Sequence, residues 1–273
     1  MKFTEIVDEI KNKRSYLCIG LDSDLDKIPE YLKDMEDPIF EFNKRVIDAT
    51  KDLVIAYKPN IAFYESMGPS GLSSLSKTLE YIPKNIFKIA DAKRGDIGNT
   101  SRMYAKTFFE TYNFDAVTLS PYMGEDTSKP FLEYDKKWII LLTLTSNKSS
   151  TNIQHYTNSE NEKLYSHVIK DSLRWSDEMN TMYVVGANRI DEIREIRKII
   201  PKNFILIPGV GAQGGNLKEI SSHSMNNNCG IIVNVSRDII YADSSTSFES
   251  NIREKALIYK NQMELILNER GLI

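Results

Sequence analysis

Two lysines and two aspartates in this chain of 273 residues have the types and spacing for proton-transfer chemistry. Asp91, Lys93 and Asp96 lie in the segment IFKIADAKRGDIGNT, and Lys58 lies in the earlier segment AYKPN. Side chains two residues apart in a strand point to the same face, so Asp91 and Lys93 should face together. A lysine held between carboxylates keeps its proton, because opposite charge favours the charged form. A cationic proton donor in an anionic frame suits a reaction that forms a carbanion and then protonates it.

The same spacing also fits a purely structural network of ion pairs. A lysine that ends an apolar strand is costly unless a carboxylate pairs with it, so Lys58 should have an acidic partner. The sequence shows no evident Ser–His or Cys–His pair, which disfavours hydrolysis through a nucleophile. His155, His167 and His223 lie far apart, and no HExxH pattern or Cys/His cluster is present. The sequence therefore predicts no metal site.

A second group of residues has the composition of a phosphate site. The segment ILIPGVGAQGG places four glycines around Gln213, and IIVNVSRD places Arg237 at the end of another largely apolar run. Glycines let backbone N–H groups approach an anion, and arginine offers a bidentate fork. A glycine-rich turn alone could equally be a plain tight turn. Arg237 in the adjacent position favours phosphate binding.

The elements that must position these residues follow from a repeated rhythm, in which short apolar runs alternate with longer amphipathic segments. Near-continuous apolar runs are typical of strands buried on both faces of a parallel sheet. The eight predicted strands are Ser15–Asp22, Leu53–Lys58, Ile86–Lys93, Ala116–Ser120, Trp138–Thr145, Met182–Ala187, Phe204–Pro208 and Gly230–Ser236. Between them, Pro38–Thr50 and Ile190–Ile200 have apolar residues at helical spacing.

Eight strand–helix units in about 250 residues predict an α/β fold of the (β/α)8 TIM-barrel type. We expect residues 1–273 to form one such barrel domain. The alternative is a doubly wound open sheet. It usually has fewer strands and a glycine-rich turn after the first strand, which the segment GLDSD lacks.

Chemistry in this barrel takes place at the carboxyl ends of the strands, and phosphate frequently binds after strands seven and eight. Asp22 ends the first predicted strand, and Asn60 follows the second. Thr145 and Ser146 follow the fifth, where they could bind a polar ring, or instead cap a helix or form a turn. The polar stretch 147–162 fits either a mobile flap or a plain loop.

Composition and charge are those of an ordinary globular protein. The 35 Lys+Arg and 38 Asp+Glu give a net charge of −3, which argues against a nucleic-acid partner but not against a small anionic ligand. The start MKFTEIVDEI is too acidic for a secretory signal, and no apolar stretch is long enough to span a bilayer. Cys18 and Cys229 lie in apolar runs, which predicts buried free thiols. We therefore predict a cytoplasmic protein without a membrane partner.

The segment DAKRGDIGNT resembles the signature of the orotidine 5′-phosphate decarboxylases, and the similarity extends along nearly the whole chain. GLDSD and YKPN precede it, and SPYMGED, TLTSN, VVGAN, PGVGAQGG and NVSRD follow it in family order. The length and the PYMG and PGVGAQ segments are most similar to the longer bacterial and protozoan branch. Two positions depart from the usual family pattern: Lys148 replaces a proline, and Asn188 replaces a threonine. Both affect loops rather than the charged residues.

The resemblance implies decarboxylation of orotidine 5′-phosphate to uridine 5′-phosphate in de novo pyrimidine biosynthesis, without metal or cofactor. Lys93 would protonate carbon 6 of the pyrimidine as carbon dioxide leaves. Asp91 and Asp96 would flank it, and Lys58 would complete the charged array. The first motif also occurs in related sugar-phosphate decarboxylases and synthases, which generally use Mg²⁺. A catalytically silent phosphate-binding barrel is a further alternative, but it predicts the loss of a charged residue, and all four are present.

The resemblance also implies the substrate contacts and a homodimer. Asp96, Ile97 and Thr100 would act across the dimer interface in the neighbouring site. The other implied contacts are Asp22, Lys58 and Asn60 near the ribose, Ser146 and Thr145 at the pyrimidine, and Gln213 and Arg237 at the 5′-phosphate. Four apolar and aromatic residues could line the dimer interface or form the buried side of a barrel helix. We favour the second interpretation, in which they are buried against the barrel. The four residues are Met103, Tyr104, Phe108 and Phe109.

Overall fold

The structure, a computed structural model, describes residues 1–211 and 215–273. Eight parallel strands form a closed barrel in sequence order. They are β1 (Leu17–Leu21), β2 (Ala56–Pro59), β3 (Phe87–Arg94), β4 (Ala116–Leu119), β5 (Trp138–Leu144), β6 (Thr181–Val185), β7 (Ile205–Pro208) and β8 (Ile231–Val235). The last strand pairs with the first, with Leu17 opposite Val233, which closes the sheet. The predicted (β/α)8 barrel is confirmed, and the open-sheet alternative is wrong because the described strands leave no sheet edge.

Helices alternate with the strands and surround the barrel. They are α1 (Phe3–Lys13), α2 (Pro38–Thr50), α3 (Ile61–Glu65), α4 (Gly68–Tyr81), α5 (Gly98–Lys106), α6 (Lys129–Leu132), α7 (Thr151–Gln154), α8 (Leu164–Ser172), α9 (Ile190–Ile199), α10 (Leu217–Ser224), α11 (Arg237–Ile240) and α12 (Phe248–Glu269). The start of α2 shows how the sequence determines where a helix begins. Asp37 Oδ1 accepts a hydrogen bond from Phe40 N at 3.1 Å, and Pro38 fits the first helical position, where no N–H is needed.

Several predicted strands are longer than the observed ones. The largest shift of a single boundary is at the start of β2, which lies at Ala56 rather than at Leu53. Leu53 lies in a turn that follows α2, where its N–H donates to Thr50 O at 2.8 Å. Apolar residues in a buried turn have the same sequence pattern as a buried strand, so this boundary was wrong.

An aromatic cluster fills the barrel at the amino ends of the strands, opposite the predicted site. Trp138 begins β5 and is 1% exposed. Its ring meets Phe87 and Phe204 edge to face, at 6.3 and 6.5 Å between centroids. Phe3 of α1 packs against Phe204 at 5.2 Å. Such close packing resists deformation, so the carboxyl ends of the strands rest on a rigid base.

Strand β3 is irregular where it carries the candidate residues. Ala90 pairs with Val117 and Arg94 pairs with Leu119, so the segment 91–93 lies opposite Thr118 alone. Lys93 has a φ of 48°, in the left-handed region that few residues other than glycine adopt. Extra residues in one strand form a bulge, which bends the strand and redirects its side chains.

Other predictions about burial have mixed outcomes. Cys18 and Cys229 are free and buried, as predicted. Phe108 and Phe109 lie in the core, but Met103 is 51% exposed, so its assignment to the buried side of the helix was wrong. Met103 precedes them by more than one helical turn and faces another direction. Across the described ranges, no helix combines the length and apolarity that crossing a membrane requires.

Candidate active site

Lys58, Asp91 and Lys93 form a continuous chain of ion pairs at the carboxyl ends of β2 and β3. Lys58 Nζ donates to Asp91 Oδ2 at 2.6 Å, and Lys93 Nζ donates to Asp91 Oδ1. The side chain of Lys58 is 5% exposed, whereas that of Lys93 is 50% exposed. The expected acidic partner of Lys58 is therefore present. One carboxylate joins a buried lysine to a lysine that solvent and a ligand can reach.

The pKa values of the buried pair are set by opposing effects. Burial by itself raises the pKa of Asp91, but the positive charges of Lys58 and Lys93 outweigh it and hold that pKa well below its ordinary value. Burial lowers the pKa of Lys58, but Asp91, and then Asp22, outweigh it and raise that pKa above its ordinary value. Asp91 and Lys58 are therefore both charged at neutral pH.

Asp22 supplies a carboxylate oxygen that is ready for a ligand. Its Oδ1 is buried and has no hydrogen-bond partner among the residues that the structure describes. Tyr241 fixes the loop after β1, because its hydroxyl donates to Asp22 O and accepts from Asp24 N, both at 2.8 Å. Buried polar atoms are rarely left without a partner, so an unsatisfied oxygen beside a cavity suits a ligand hydroxyl.

A cavity of about 140 Å³ joins the carboxylates of Asp22 and Asp91 to Arg237 of the predicted phosphate site. Its lining residues are Asp22, Lys58, Asp91, Pro208, Gly209, Val210, Asn234, Ser236 and Arg237. Gly209 has a φ of 97°, so the turn after β7 requires a residue without Cβ there. Arg237 is the first residue of α11 and is exposed. Gln213, the other predicted phosphate contact, lies outside the described residues.

Asn60 caps a helix instead of extending strand β2. It follows β2 and caps α3, because its Oδ1 accepts from Ala62 N at 3.3 Å. It also forms an isolated parallel bridge with Asp91. The backbone of Asn60 thus lies beside the ion pairs, although its side chain holds the start of a helix.

The loop after β5 is held by residues that follow β6. Arg189 donates to Thr145 O at 3.2 Å and to Ser150 Oγ at 2.6 Å. Asn188, one of the two departures from the family pattern, donates to Ser146 O at 3.0 Å. A Cβ on Gly186 would lie 2.8 Å from Ser146 Cα, so only glycine fits there. The loop is therefore braced by its neighbour.

The two hydroxyls of this loop differ in availability. Thr145 Oγ1 contacts Gln154 Nε2 at 3.0 Å and also Asn147 Oδ1 at 2.5 Å, so it is already bonded. Within the described ranges, the hydroxyl of Ser146 makes no hydrogen bond, and the residue is half-buried. Lys148, the other departure, begins a short 3₁₀ turn over Lys148–Ser150. Ser146 is the better placed of the two to bind a ligand.

Asp96, Ile97 and Thr100 lie beyond the ion pairs, where α5 begins. Asp96 Oδ1 accepts from Ile97 N at 2.8 Å, and in 1–211 and 215–273 its carboxylate has no cationic partner within 4.0 Å. Ile97 is 54% exposed, and Thr100 is exposed. Within one chain, the structure brings Asp91 to Lys93 but does not bring Asp96 to it.

Sequence reasoning missed polar residues that face the site from β8. Asn234 is 6% exposed, and its Nδ2 donates to Ser236 Oγ at 3.2 Å. Its Oδ1 accepts from Cys18 Sγ at 3.5 Å. The alternation of Asn234 and Ser236 in NVSRD was the available signal, since residues two apart in a strand share a face.

In the part of the chain that is described, no three His, Cys, Asp or Glu residues are grouped to hold a metal.

Comparisons with known proteins agree over almost the full length. The profile of a family described as "Orotidine 5'-phosphate decarboxylase / HUMPS family" matches residues 15–247. An orotidine 5′-phosphate decarboxylase from Phocaeicola vulgatus is 52% identical over 270 residues, covering 98% of this chain and 99% of that relative. One from Parabacteroides distasonis is 50% identical over 276 residues, covering 100% and 99%. The structure of Leishmania donovani OMP decarboxylase has a TM-score of 0.82 at 32% identity, covering 97% of this chain and 100% of that one.

Proposed function

Because the chain belongs to the orotidine 5′-phosphate decarboxylase / HUMPS family, we propose that it decarboxylates orotidine 5′-phosphate with Lys93 as the proton donor. The family that the sequence motifs indicate is confirmed, and with it carbon–carbon lyase activity in pyrimidine biosynthesis. The observation that carries the proposed mechanism is the chain of ion pairs through Asp91. It supports a proton donor fixed beside a permanent negative charge.

In the proposed reaction, the bond between carbon 6 and the substrate carboxylate breaks, and carbon dioxide leaves. The electron pair stays on carbon 6 and takes a proton from the Lys93 ammonium. Electrostatic stabilisation of this developing carbanion by a preorganised cation is the main catalytic effect. Lys93 then regains a proton from water, which its half-exposed side chain can reach.

Asp91 has two roles in the proposal. It orients Lys93, and it places a negative charge near the substrate carboxylate. Two such charges about 4 Å apart repel by roughly 4 kcal/mol at an effective dielectric near 20. Loss of carbon dioxide removes that repulsion. This ground-state effect is secondary to the stabilisation of the carbanion. Lys58 keeps Asp91 ionised while the substrate carboxylate approaches.

We further propose that binding energy comes from groups remote from carbon 6. Arg237 and Gln213 hold the 5′-phosphate, and Arg237 borders the same cavity as Asp91. The unsatisfied oxygen of Asp22 takes a ribose hydroxyl, with Asn60 nearby. The pyrimidine binds Ser146, with Thr145 as a weaker candidate. Binding energy from such remote groups can be used to orient the substrate at the reacting atom.

The active unit in this proposal is a homodimer of single-domain chains (1–273) that needs no metal or cofactor. Asp96, Ile97 and Thr100 reach the partner's site, and the exposure of Ile97 and the lack of a cationic partner for Asp96 among the described residues support this. We place the protein in the cytoplasm because its two cysteines are free, as is typical of reducing compartments. We propose no nucleic-acid or membrane partner, since the net charge of −3 gives no basic excess for binding nucleic acid.

The test is turnover of orotidine 5′-phosphate, followed by its absorbance, with and without a chelator. We expect full activity in both conditions, and loss of turnover in Lys93→Ala. Lys106→Ala is the matched control, because Lys106 is an exposed lysine on α5. Activity lost to the chelator would favour the Mg²⁺-dependent sugar-phosphate enzymes instead. Near-normal kcat in a folded Lys93→Ala protein would disprove the role of Lys93.

A further inference from the structure

Thr118 of β4 contacts the irregular part of β3 through one oxygen. Its Oγ1 accepts hydrogen bonds from the backbone N–H groups of Ala92 and Lys93, both at 2.9 Å. The hydroxyl can donate to Ala90 O or to Asp91 Oδ1, each at 3.4 Å. Thr118 is 1% exposed, so water does not compete for these contacts.

These contacts replace the hydrogen bonds that a regular strand would have. The register shift leaves the segment 91–93 opposite Thr118 alone, so the N–H groups of Ala92 and Lys93 bond to its side chain. Unpaired N–H groups that are shielded from water cost free energy comparable to a lost hydrogen bond. Without this acceptor, the two N–H groups would be unpaired, and that cost would favour a different conformation of the segment.

The left-handed backbone at Lys93 needs such support. A φ of 48° is unfavourable for a residue with a Cβ, and it persists only where the surroundings hold it. In this conformation the Lys93 ammonium donates to Asp91. Thr118 therefore contacts the backbone of the lysine and lies beside the carboxylate that the lysine pairs with.

We propose that Thr118 is a positioning residue for the decarboxylation. Its hydroxyl holds the backbone of Lys93 in the conformation that places the ammonium against Asp91. The inference rests on the proposed role of Lys93, through which Thr118 acts. It does not require Thr118 to touch the substrate.

The test compares Thr118→Val, which keeps the shape but removes the hydroxyl, with Thr118→Ser, which keeps it. A misplacement of about 1 Å costs on the order of 10²-fold in rate, so we expect that loss of kcat in the valine variant. KM should change by less than about threefold, because groups remote from carbon 6 are untouched. The serine variant should keep kcat within about threefold of the parent.

Thr143→Val is the matched control. Thr143 is equally buried on the neighbouring strand β5, but its hydroxyl donates to Val184 O at 2.7 Å. We expect near-parental kcat in this variant. Binding of uridine 5′-phosphate by calorimetry, together with melting curves, shows whether each variant keeps a folded site. The rate of deuterium uptake at carbon 6 of uridine 5′-phosphate in D₂O should fall in Thr118→Val, as kcat does.

The outcomes separate the two proposals. Parental kcat in Thr118→Val, beside a dead Lys93→Ala, would overturn the role of Thr118 alone. An active Lys93→Ala would overturn the role of Lys93 and, with it, that of Thr118. Equal losses in Thr118→Val, Thr118→Ser and Thr143→Val would mean that general packing is responsible, which also contradicts the positioning role.

Discussion

The Lys58 ammonium lies 2.6 Å from Asp91 Oδ2, with only 5% of the lysine side chain exposed. This pair connects the structural and catalytic parts of the site, because Asp91 also holds Lys93. Removing one member of a buried pair leaves the other without compensation. The pair therefore affects both the stability of the fold and the ionisation of the site.

We expect Lys58→Met to destabilise the protein by about 3–5 kcal/mol, since among the described residues it leaves the Asp91 carboxylate with Lys93 as its one cationic partner. The measurement is the free energy of unfolding in urea. Lys77→Met is the control, because Lys77 pairs with Asp37 at 2.9 Å but is 47% exposed. The unfolding midpoint of this control should hardly move. Similar shifts in both variants would show that burial adds nothing to the Lys58 pair.

The stability that Asp91 contributes should depend on pH in a defined direction. Its pKa is lowered in the folded protein, so its contribution is fully present above the ordinary carboxyl pKa of 3.8. The contribution is lost as the pH falls below that value towards the lowered native pKa. We expect the difference in unfolding free energy between the parent and Asp91→Asn to be constant from pH 7 to about pH 5, and to shrink below pH 4. A difference that grows on acidification would mean that the pKa of Asp91 is raised.

Much of the fold could be predicted from the sequence, because strands buried on both faces leave continuous apolar runs. The chain of ion pairs was predicted in part, and for a reason that is only partly correct. Alternation places Asp91 and Lys93 on one face of a regular strand. In the structure they meet across a bulge, with Lys93 in a left-handed conformation.

The contacts that could not be predicted depend on which residues lie opposite each other in neighbouring strands. Thr118 is one of two β-branched residues in the run AVTL. Nothing in that run indicates that its hydroxyl forms hydrogen bonds with a bulge in the neighbouring strand. Arg189 follows β6 but braces the loop after β5, which only the register of the two strands reveals. The position of Asp96 relative to Lys93 likewise depends on the chain direction after the bulge.

Arg237 should act on the phosphate rather than on the pyrimidine. A hydrogen bond to a charged group contributes about 1.5–3 kcal/mol, so Arg237→Ala should weaken uridine 5′-phosphate binding by at least about tenfold. Uridine, which lacks the phosphate, should bind both proteins equally. Calorimetric titration with the two ligands measures the difference. Equal losses for the nucleotide and the nucleoside would contradict a phosphate contact.

A control for this variant is Arg194→Ala. Arg194 lies on α9 and contacts His223 at 3.3 Å, away from the cavity that Arg237 borders. It removes the same charge without removing the proposed contact. We expect nucleotide affinity to stay at the parental level. A matching decrease would mean that net charge, rather than contact, determines the affinity.

A site shared between two chains should allow inactive variants to complement each other. Lys93→Ala removes the proton donor of its own site, whereas Asp96→Ala removes the group proposed to reach the partner's site. In a mixed dimer, one site carries both changes and the other carries neither. Random association of equal amounts should therefore restore roughly a quarter of parental activity. Turnover after mixing, unfolding and refolding measures this, and each variant refolded alone should stay inactive. Failure of the refolded mixture to regain activity, with mixed dimers verified by mass spectrometry, would mean that Asp96 acts within its own chain.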